Sequence, residues 1–325
     1  MKLLDGGDIM SNVVPFVPLY FKSEYSMLHS ACKLAPSISL SKEYGFSALA
    51  ITDLNVMHGA YKFYNECKKN NIKPIIGLHI DYIYNDKVSS LLVYAMNSFG
   101  YKNLMKLSSK AKITGKPLDY EYLASNATGL LVVVPLFENV IGNMLYNNLL
   151  KEASAHLSLL QMAFSNIYLG VTLLSNYDRE IFKASLAFSK DKGIELVDAS
   201  PISYLNIDDV DAYQTLLSIA NGGSAISLSE RETHEYMHSY EELLMYYNDY
   251  KFILENTQKV ASKCNVELSF TNYQLPRYDD NIDANIYLKE LCYKGLKKRI
   301  SLNNIKNISV YEERLLYELE TIKEM

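Results

Sequence analysis

Apolar and polar positions follow two different periods along the first two thirds of the chain. Short runs rich in Val, Ile and Leu predict β-strands at 13–21, 47–52, 73–83, 91–95, 130–134, 167–171 and 194–197. Apolar residues spaced three and four apart predict helices between most of these strands, among them 36–44, 57–70 and 101–111. About seven strand and helix units in succession favour a barrel with a largely parallel sheet over an open sheet.

The pattern changes near residue 208, where the strand signals end. Helices are predicted beyond that point at 209–219, 240–247, 251–264, 284–300 and 310–323. The stretch 271–283 combines Pro276 with several aspartates, which indicates a linker. It separates a domain at 1–270, whose barrel ends near 205, from a helical segment at 284–325. Because the chain ends at Met325 inside a predicted helix, we expect a fragment of a longer protein.

Composition and charge narrow the class of protein. Hydrophobic residues make up 49% and charged residues 21%, and no apolar run reaches the roughly 18 to 20 residues of a membrane span. The acidic N-terminal stretch lacks the apolar core of a signal peptide, so we expect a cytoplasmic protein. The net charge of −5 argues against a module that grips nucleic acid by itself. Four scattered cysteines without a C-x-x-C pair argue against a zinc knuckle or a disulfide framework.

Several motifs, in order along the chain, resemble a known family. The run FVPLYFKSEYSML at 16–28 resembles the opening of the PHP domain (polymerase and histidinol phosphatase) of bacterial DNA polymerase III alpha subunits, where the pattern is F-V-H-L-H-V-H-S-E-Y-S-L-L. Further matches follow in the same order: ALAITD at 48–53, GAYKFY at 59–64, IKPIIG at 72–77, GYKNL at 100–104, CNVEL at 264–268, LP at 275–276 and RLLYEL at 314–319. The resemblance covers nearly the whole chain.

This resemblance implies a fold, a domain plan and a set of partners. The fold is α/β, a PHP-type distorted (β/α)7 barrel followed by a helical segment that leads into the polymerase core. Residues 1–270 would form the PHP-like domain, 271–283 the linker, and 284–325 the first, truncated helices of the polymerase palm. The expected partners are the remainder of the alpha chain, other replisome subunits, and DNA through the parent protein, with no membrane contact.

Family members with an intact PHP site resemble metal-dependent phosphoesterases, in which His and acidic ligands at the carboxyl ends of barrel strands hold up to three metal ions. The family's ligand positions fall here on Tyr20, Lys22, His29, Leu54, His79, Pro201 and Ser203, with looser alignments to Ser90 and Leu136. Of the first seven, only the two histidines could coordinate a metal, since a lysine ammonium has no lone pair. We therefore expect a degenerate site with no metal ion and no catalytic residue.

Two roles are open for Lys22. It is either an ordinary solvated lysine or a fixed charge standing where a metal stood, facing Asp53 or Asp81 across the barrel mouth. For His29 and His79, a structural, hydrogen-bonded role is favoured over metal ligation. Asp53 is best interpreted as the cap of the turn that follows its strand.

Two further clusters lie outside these positions. A basic cluster at the end of a predicted helix consists of Lys294, Lys297, Lys298 and Arg299. It is interpreted as a solvated helix end that compensates the helix dipole, with a phosphate contact as the alternative. His234 and His238 have a spacing that can bind a metal on a helix, but the flanking Ser, Thr and Glu residues favour a surface loop.

The expected function follows from the family and from the lost ligands. The parent protein would be a DNA-directed DNA polymerase, a nucleotidyltransferase of DNA replication that uses two magnesium ions held by palm aspartates. The palm motif, of the form P-D-x-D-x-D-F, does not occur in this sequence, so no cofactor is expected in this segment. We expect a non-catalytic scaffold. The alternatives are a residual metal-dependent phosphoesterase or 3′–5′ proofreading exonuclease at the PHP site, and a self-standing interaction protein that borrowed the barrel.

Overall fold

A computed structural model describes residues 14–268, 278–279, 281–303 and 306–325 of the protein. The chain forms two compact units, which divide between residues 268 and 269. Most of the predicted linker at 271–283 lies outside the described residues, as do residue 13 of the first predicted strand and the motif at 275–276.

The first unit is built around a six-stranded sheet whose strands lie side by side in sequence order. The strands are β1 (Ala48–Ile51), β2 (Lys73–Tyr84), β3 (Lys87–Ala95), β4 (Leu130–Pro135), β5 (Ile167–Val171) and β6 (Leu196–Asp198). The pairs β1–β2, β4–β5 and β5–β6 are parallel, whereas β3 is antiparallel to both of its neighbours. The α/β class predicted from the sequence is confirmed.

The segment 17–22 joins the two edges of this sheet and closes it into a distorted barrel. On one side the backbone N–H of Ala50 donates to the carbonyl of Pro18 at 3.0 Å, and on the other the N–H of Ile202 donates to the carbonyl of Tyr20 at 2.8 Å. Phe21 makes an isolated parallel bridge with Ile202. The predicted strand at 13–21 is wrong over most of its described length, because a proline such as Pro18 has no N–H to donate to a neighbouring strand.

β2 and β3 form a hairpin without an intervening helix. Its two turn residues, Asn85 and Asp86, have φ angles of 47° and 59°, and the flanking Tyr84 pairs with Lys87. Two consecutive left-handed residues are what a type I′ hairpin turn requires. This hairpin interrupts the alternation of strands and helices, since a two-residue turn can only join antiparallel strands, and it agrees with the expectation of a distorted barrel.

Helices cover the outside of the barrel and extend beyond it. Those around the barrel are α1 (Leu34–Glu43), α2 (Ala60–Lys69), α3 (Ser98–Thr114), α4 (Tyr120–Ser125), α5 (Val140–Tyr146), α6 (Leu150–Ala163) and α7 (Asn176–Lys192). Beyond β6 lie α8 (Val210–Ala220), α9 (Tyr240–Tyr247), α10 (Lys251–Glu255) and α11 (Thr257–Lys263), with 3₁₀ turns at Ile207–Asp209, Glu232–His234 and Asn248–Tyr250. The helix predicted at 251–264 is divided at Asn256, whose side-chain amide donates to the carbonyl of Leu196 at 2.9 Å.

Side chains along the strands alternate between the inside and the outside of the barrel. In β1, Ala50 belongs to the inner cluster, whereas Leu49 packs in the outer layer against the helices. Both faces of the strands are apolar, as expected for a sheet covered by helices. At the amino-terminal end of β2, Lys73 donates to the carbonyl of Ala261 at 2.7 Å, so α11 closes that end of the barrel.

The second unit contains α12 (Ala284–Asn303) and α13 (Ile308–Glu324), which contact each other. Among the residues that the structure describes, no helix has the length and apolar character needed to cross a bilayer.

Candidate functional site

Inward-facing residues at the carboxyl-terminal part of β2 and in the segment 17–22 converge at the open end of the barrel, which we call the barrel mouth. Along β2, His79 and Asp81 lie two and four residues beyond Gly77, and alternate residues of a strand face the same side. Tyr20 is fully buried and lies in the inner cluster. Period-two alternation therefore carries polar groups into the position that substrates and metals occupy in barrel enzymes.

A hydroxyl lies at the centre of the barrel mouth. The Tyr20 hydroxyl donates to Oε2 of Glu138 at 2.8 Å and lies 2.7 Å from Nδ1 of His79. Burial and the neighbouring Glu138 carboxylate raise the pKa of Tyr20 well above its ordinary value, so the hydroxyl keeps its proton. Burial alone would raise the pKa of Glu138, but the neighbouring His79, Lys22 and Arg231 hold it below its ordinary value. Glu138 is therefore a carboxylate that accepts this hydrogen bond.

The second ring nitrogen of His79, Nε2, lies near another carboxylate, that of Asp81. Nε2 of His79 is 3.6 Å from Oδ1 of Asp81 and 3.9 Å from Oε2 of Glu138. Burial alone would raise the pKa of Asp81, but the proximity of His79 and hydrogen bonds from Ser90 and Asn55 lower it to about 2. Within the described part of the chain, Nε2 of His79 is a buried atom without a hydrogen-bond partner.

Lys22 pairs with a carboxylate that the sequence did not suggest. Its Nζ lies 3.9 Å from Oε2 of Glu235 and 5.1 Å from the centre of the Tyr20 ring. The same Glu235 oxygen accepts the Ser203 hydroxyl at 2.6 Å. The interpretation of Lys22 as a solvated lysine is wrong, since only 9% of the residue is exposed. The hypothesis of a fixed charge inside the mouth agrees with the structure, although the partner is Glu235.

Asp53, which was a predicted partner of Lys22, bonds to two serines instead. Its carboxylate accepts the Ser23 backbone N–H at 2.7 Å, the Ser23 hydroxyl at 2.7 Å and the Ser26 hydroxyl at 2.6 Å. The expectation that Asp53 caps the turn after its own strand is therefore wrong, because its carboxylate stabilises the turn at 23–26 instead. Three donors satisfy the buried carboxylate without a metal or a lysine.

Arg231, from the region after α8, completes the ionic network at the mouth. Its guanidinium donates to Oδ1 of Asp178 at 3.1 Å, and its Nε lies 3.6 Å from Oε1 of Glu235. It also stacks 4.5 Å over the ring of Phe137. Glu235 thus lies between two fixed cations, and the buried acids of the mouth are compensated by protein side chains.

The remaining predicted ligand positions do not assemble into a metal centre. Leu54 is apolar and bridges His79 through the backbone. Pro201 and Leu136 are buried without side-chain donors, and His29 is solvent-exposed at the rim. Although His29 reaches solvent, its ring is partly covered, and this partial burial together with the neighbouring Lys22 and His79 lowers its pKa.

A multinuclear metal centre does not fit these residues. Two inward positions are occupied by a lysine ammonium, which has no lone pair, and by a phenol that keeps its proton and donates it to Glu138 and is therefore a poor metal ligand. Among the described residues, no group of three or more His, Cys, Asp or Glu side chains is placed to hold a metal ion.

The two histidines outside the mouth do not converge either. Nδ1 of His234 lies 2.8 Å from the carbonyl of Glu230, and Nε2 of His238 lies 2.9 Å from the carbonyl of His234. Each ring therefore uses a nitrogen to bond the backbone. The surface-loop interpretation is wrong for His238, which is only 4% exposed and lies 3.8 Å from the ring of Tyr236.

Three functional residues escaped sequence reasoning: Glu138, Arg231 and Glu235. Glu138 could have been found, because it is an acidic residue just after the buried strand β4, on the side where barrel sites form. Arg231 and Glu235 lie in an irregular stretch beyond the last strand, where no periodic pattern shows which side chains face the barrel. Their role depends on tertiary packing alone.

Comparisons with known proteins agree with the sequence motifs. The PHP domain family matches residues 19–172. The chain is similar to the DNA polymerase III subunit alpha of Borreliella burgdorferi, with 32% identity over 94% of this chain and 28% of that protein. It is similar to the corresponding subunit of Halalkalibacterium halodurans, with 30% identity over 95% of this chain and 28% of that protein. The chain thus spans less than a third of the length of these curated relatives.

A comparison with solved structures gives one further similarity. An amidohydrolase from Chromobacterium violaceum aligns with a TM-score of 0.42 and 12% identity, over 58% of this chain and 87% of that chain.

Proposed function

Because this chain belongs to the DNA polymerase III alpha subunit family, as its N-terminal PHP segment, we propose that its barrel is a non-catalytic scaffold within that subunit. The whole protein would carry out template-directed DNA synthesis, with magnesium bound by palm residues that lie outside this sequence. This segment would support the rest of the alpha chain and offer docking surfaces to other replisome subunits. DNA would be engaged through the parent protein.

The contact between Lys22 and Glu235 carries this proposal. A cation built into the protein stands at a family ligand position and compensates a buried carboxylate. The Arg231 guanidinium lies beside the other carboxylate oxygen of Glu235 and balances the same negative charge. The Tyr20 hydroxyl donates a hydrogen bond to the neighbouring Glu138. Charges that a metal would have balanced are balanced by side chains, which holds the barrel mouth together without leaving a reactive centre.

A scaffold role has a direct experimental test. The purified chain is incubated with bis-p-nitrophenyl phosphate, and separately with a 5′-labelled oligonucleotide, in the presence of Mn²⁺ or Zn²⁺. We expect no product above the rate measured with a His79→Ala variant. Metal-dependent release of p-nitrophenol or of 3′ nucleotides that disappears in His79→Ala would contradict the proposal. Using that variant as the control separates barrel activity from a contaminating nuclease.

A residual phosphoesterase is the second candidate, and one observation favours it. Nε2 of His79 is buried without a hydrogen-bond partner and lies within 4 Å of carboxylate oxygens of Asp81 and Glu138. Because the described residues are not placed to hold an ion as they stand, this activity would require Asp81 and Glu138 to move closer to His79 when a metal binds. The same assay distinguishes the candidates, because one-ion chemistry would require all three side chains and would be lost in Asp81→Asn as well.

A further inference from the structure

We propose that a cavity in the helical layer outside the barrel binds a small amphipathic organic anion, a molecule with an apolar body and one carboxylate. The cavity lies between α6 and α7, beside the end of α5, and its volume is about 690 Å³. None of its lining residues belongs to the barrel mouth. The inference therefore goes beyond the scaffold role proposed for the barrel and does not depend on it.

The base and walls of the cavity are apolar. Leu145 and Phe188 line it and are only 2% and 5% exposed, so they form its buried base. Ala184 and Ala187 line it from α7, where residues three apart share a face. Because an alanine side chain ends at Cβ, these two residues leave a space beside α6 that a larger side chain would fill. Leu150 also lines the cavity and is 50% exposed, so an apolar ligand would cover it.

The size of the cavity favours a free small molecule over a segment of a partner protein. Small-molecule sites have volumes of about 300–1000 Å³, and the volume of this cavity falls within that range. From α6, only residues 150, 151 and 154 line it, which is little more than one helical turn. A groove for a partner helix would need anchor positions along several turns of its walls.

One edge of the cavity carries hydrogen-bond donors. Lys151 and Ser154 line this edge from α6, and Asn148 lines it from the turn that precedes the helix. In the part of the chain that the structure describes, none of these three side chains has a hydrogen-bond or ion-pair partner. Lys151 and Ser154 are three residues apart and lie on the same side of the helix, so both can reach one ligand group. An ammonium, a hydroxyl and an amide together suit a carboxylate, which only accepts hydrogen bonds.

The excess charge at this edge is positive. Leu149 precedes α6 and gives the helix no side-chain cap, so the first N–H groups add a partial positive charge there. Lys192 also lines the cavity, but it pairs with Asp191 at 2.9 Å, and these two residues add no net charge. Glu152 does not line the cavity. The charge of Lys151 is therefore left for a ligand.

Equilibrium dialysis of ¹⁴C-labelled octanoate against the full chain tests the proposal. We expect one molecule to bind per chain, with a dissociation constant of about 1 mM or tighter. Butyrate should bind at least about tenfold more weakly, because it lacks four methylene groups. Octylammonium has the same apolar tail and a positive charge, and it should also bind about tenfold more weakly. Absence of octanoate binding, or equal binding of octylammonium, would overturn the proposal.

A cavity-filling change locates the binding site. Ala187→Leu places a larger side chain in the wall of the cavity and should weaken octanoate binding at least about tenfold. Ala155→Leu is the matched control, because Ala155 is an exposed residue of α6 that does not line the cavity. With both variants folded by circular dichroism, unchanged binding in Ala187→Leu or equal loss in both variants would overturn the assignment to this cavity.

The contribution of charge is tested separately from the apolar base. Lys151→Gln should weaken octanoate binding about threefold to fivefold and leave the binding of 1-octanol unchanged. Lys102→Gln removes an exposed lysine of α3 and should bind octanoate like the unmodified chain. Unchanged octanoate affinity in Lys151→Gln, or equal loss in the two variants, would overturn the role of Lys151.

An acidic apolar peptide distinguishes a small molecule from a protein partner. The peptide Ac-LLELL-NH2 carries leucine side chains and one carboxylate, and we expect it to bind no more tightly than octanoate. If the peptide binds at least tenfold more tightly than octanoate and loses that affinity in Ala187→Leu, the cavity serves a partner protein and the small-molecule proposal is overturned.

Discussion

Lys22 and Glu235 approach to 3.9 Å, and their side chains are only 11% and 3% exposed. The two residues come from opposite ends of the first unit: Lys22 lies in the segment that closes the barrel, and Glu235 lies beyond the last strand. Glu235 also accepts the hydroxyl of Ser203. This contact therefore ties the helical extension to the barrel at the barrel mouth.

Lys22→Met is expected to destabilise the protein. It leaves Glu235 with one cation, Arg231, and removal of a partner from a buried charged group costs about 1–3 kcal/mol. Chemical denaturation monitored by circular dichroism would measure the change in the free energy of unfolding. Lys22→Arg keeps the charge and should cost less than Lys22→Met.

A double-mutant cycle shows whether the effect belongs to this pair. The combination of Lys22→Met with Glu235→Gln should be less destabilised than the sum of the single changes, by about 1 kcal/mol or more. If the two effects simply add, the pair does not hold the barrel mouth together and the interpretation of Lys22 as a built-in counter-charge is incorrect.

Tyr20→Phe removes the hydroxyl between Glu138 and His79. The buried His79 and the partly buried Glu138 then each lose a hydrogen-bond partner, and we expect a loss of about 1–2 kcal/mol in the free energy of unfolding. Tyr146→Phe is a matched control, because Tyr146 is 50% exposed and should change stability by less than about 0.5 kcal/mol. Equal effects of the two changes in thermal or urea unfolding would exclude a structural role for the Tyr20 hydroxyl.

The buried side chain of His156 should cause the free energy of unfolding to fall when the pH is lowered into the weakly acidic range. It is fully buried, its Nε2 lies 2.6 Å from the Tyr82 hydroxyl, and Tyr84 stacks on its ring at 3.5 Å. Burial lowers the pKa of His156 to about 4. Since the unfolded chain takes up this proton near pH 6.5 and the folded chain only near pH 4, stability falls as the pH drops through that window.

The size of this effect can be measured against a variant that does not titrate. Between pH 7.5 and 4.5 the unmodified protein should lose about 2–3 kcal/mol more than His156→Gln, whose amide can still reach Tyr82. Urea unfolding at a series of pH values gives the difference. Parallel pH profiles for the two proteins would show that His156 is not kept neutral by the fold.

The β2–β3 hairpin offers a stabilising change. Asp86 has a φ of 59°, which an L-residue adopts at a cost and glycine adopts freely. Asp86→Gly should therefore raise the free energy of unfolding by up to about 1 kcal/mol, whereas Asp86→Ala should lower it. Thermal unfolding of both variants gives the comparison, and destabilisation by Asp86→Gly would contradict the type I′ assignment.

The strands were predictable because strands buried on both faces are short, continuous apolar runs, and most helices were predictable because apolar residues three and four apart mark a single buried face. The positions of β1, β4 and β5 differ from the predicted bounds by no more than one residue at each end. The hairpin at Asn85 and Asp86 was not recognised, since its turn residues are polar without being the Asn-Gly pair that marks such turns most strongly.

The barrel mouth was predictable only in part. Motif alignment identified Tyr20, Lys22 and His79 as inward positions, because the family's ligands occupy a fixed register on the strands. It could not identify the partners of these residues. Glu235 and Arg231 reach the mouth from an irregular stretch more than two hundred residues from Lys22, and no local pattern encodes a contact of that kind.

The metal content of the purified chain tests the central proposal most directly. The protein is incubated with Zn²⁺, Mn²⁺ or Fe²⁺, dialysed against metal-free buffer and measured by inductively coupled plasma mass spectrometry, with His79→Ala in parallel. A scaffold whose mouth is filled by Lys22, Tyr20 and Arg231 should retain far less than one metal ion per chain, with no difference between the two proteins. Retention of one or more ions per chain, lost in His79→Ala, would contradict it.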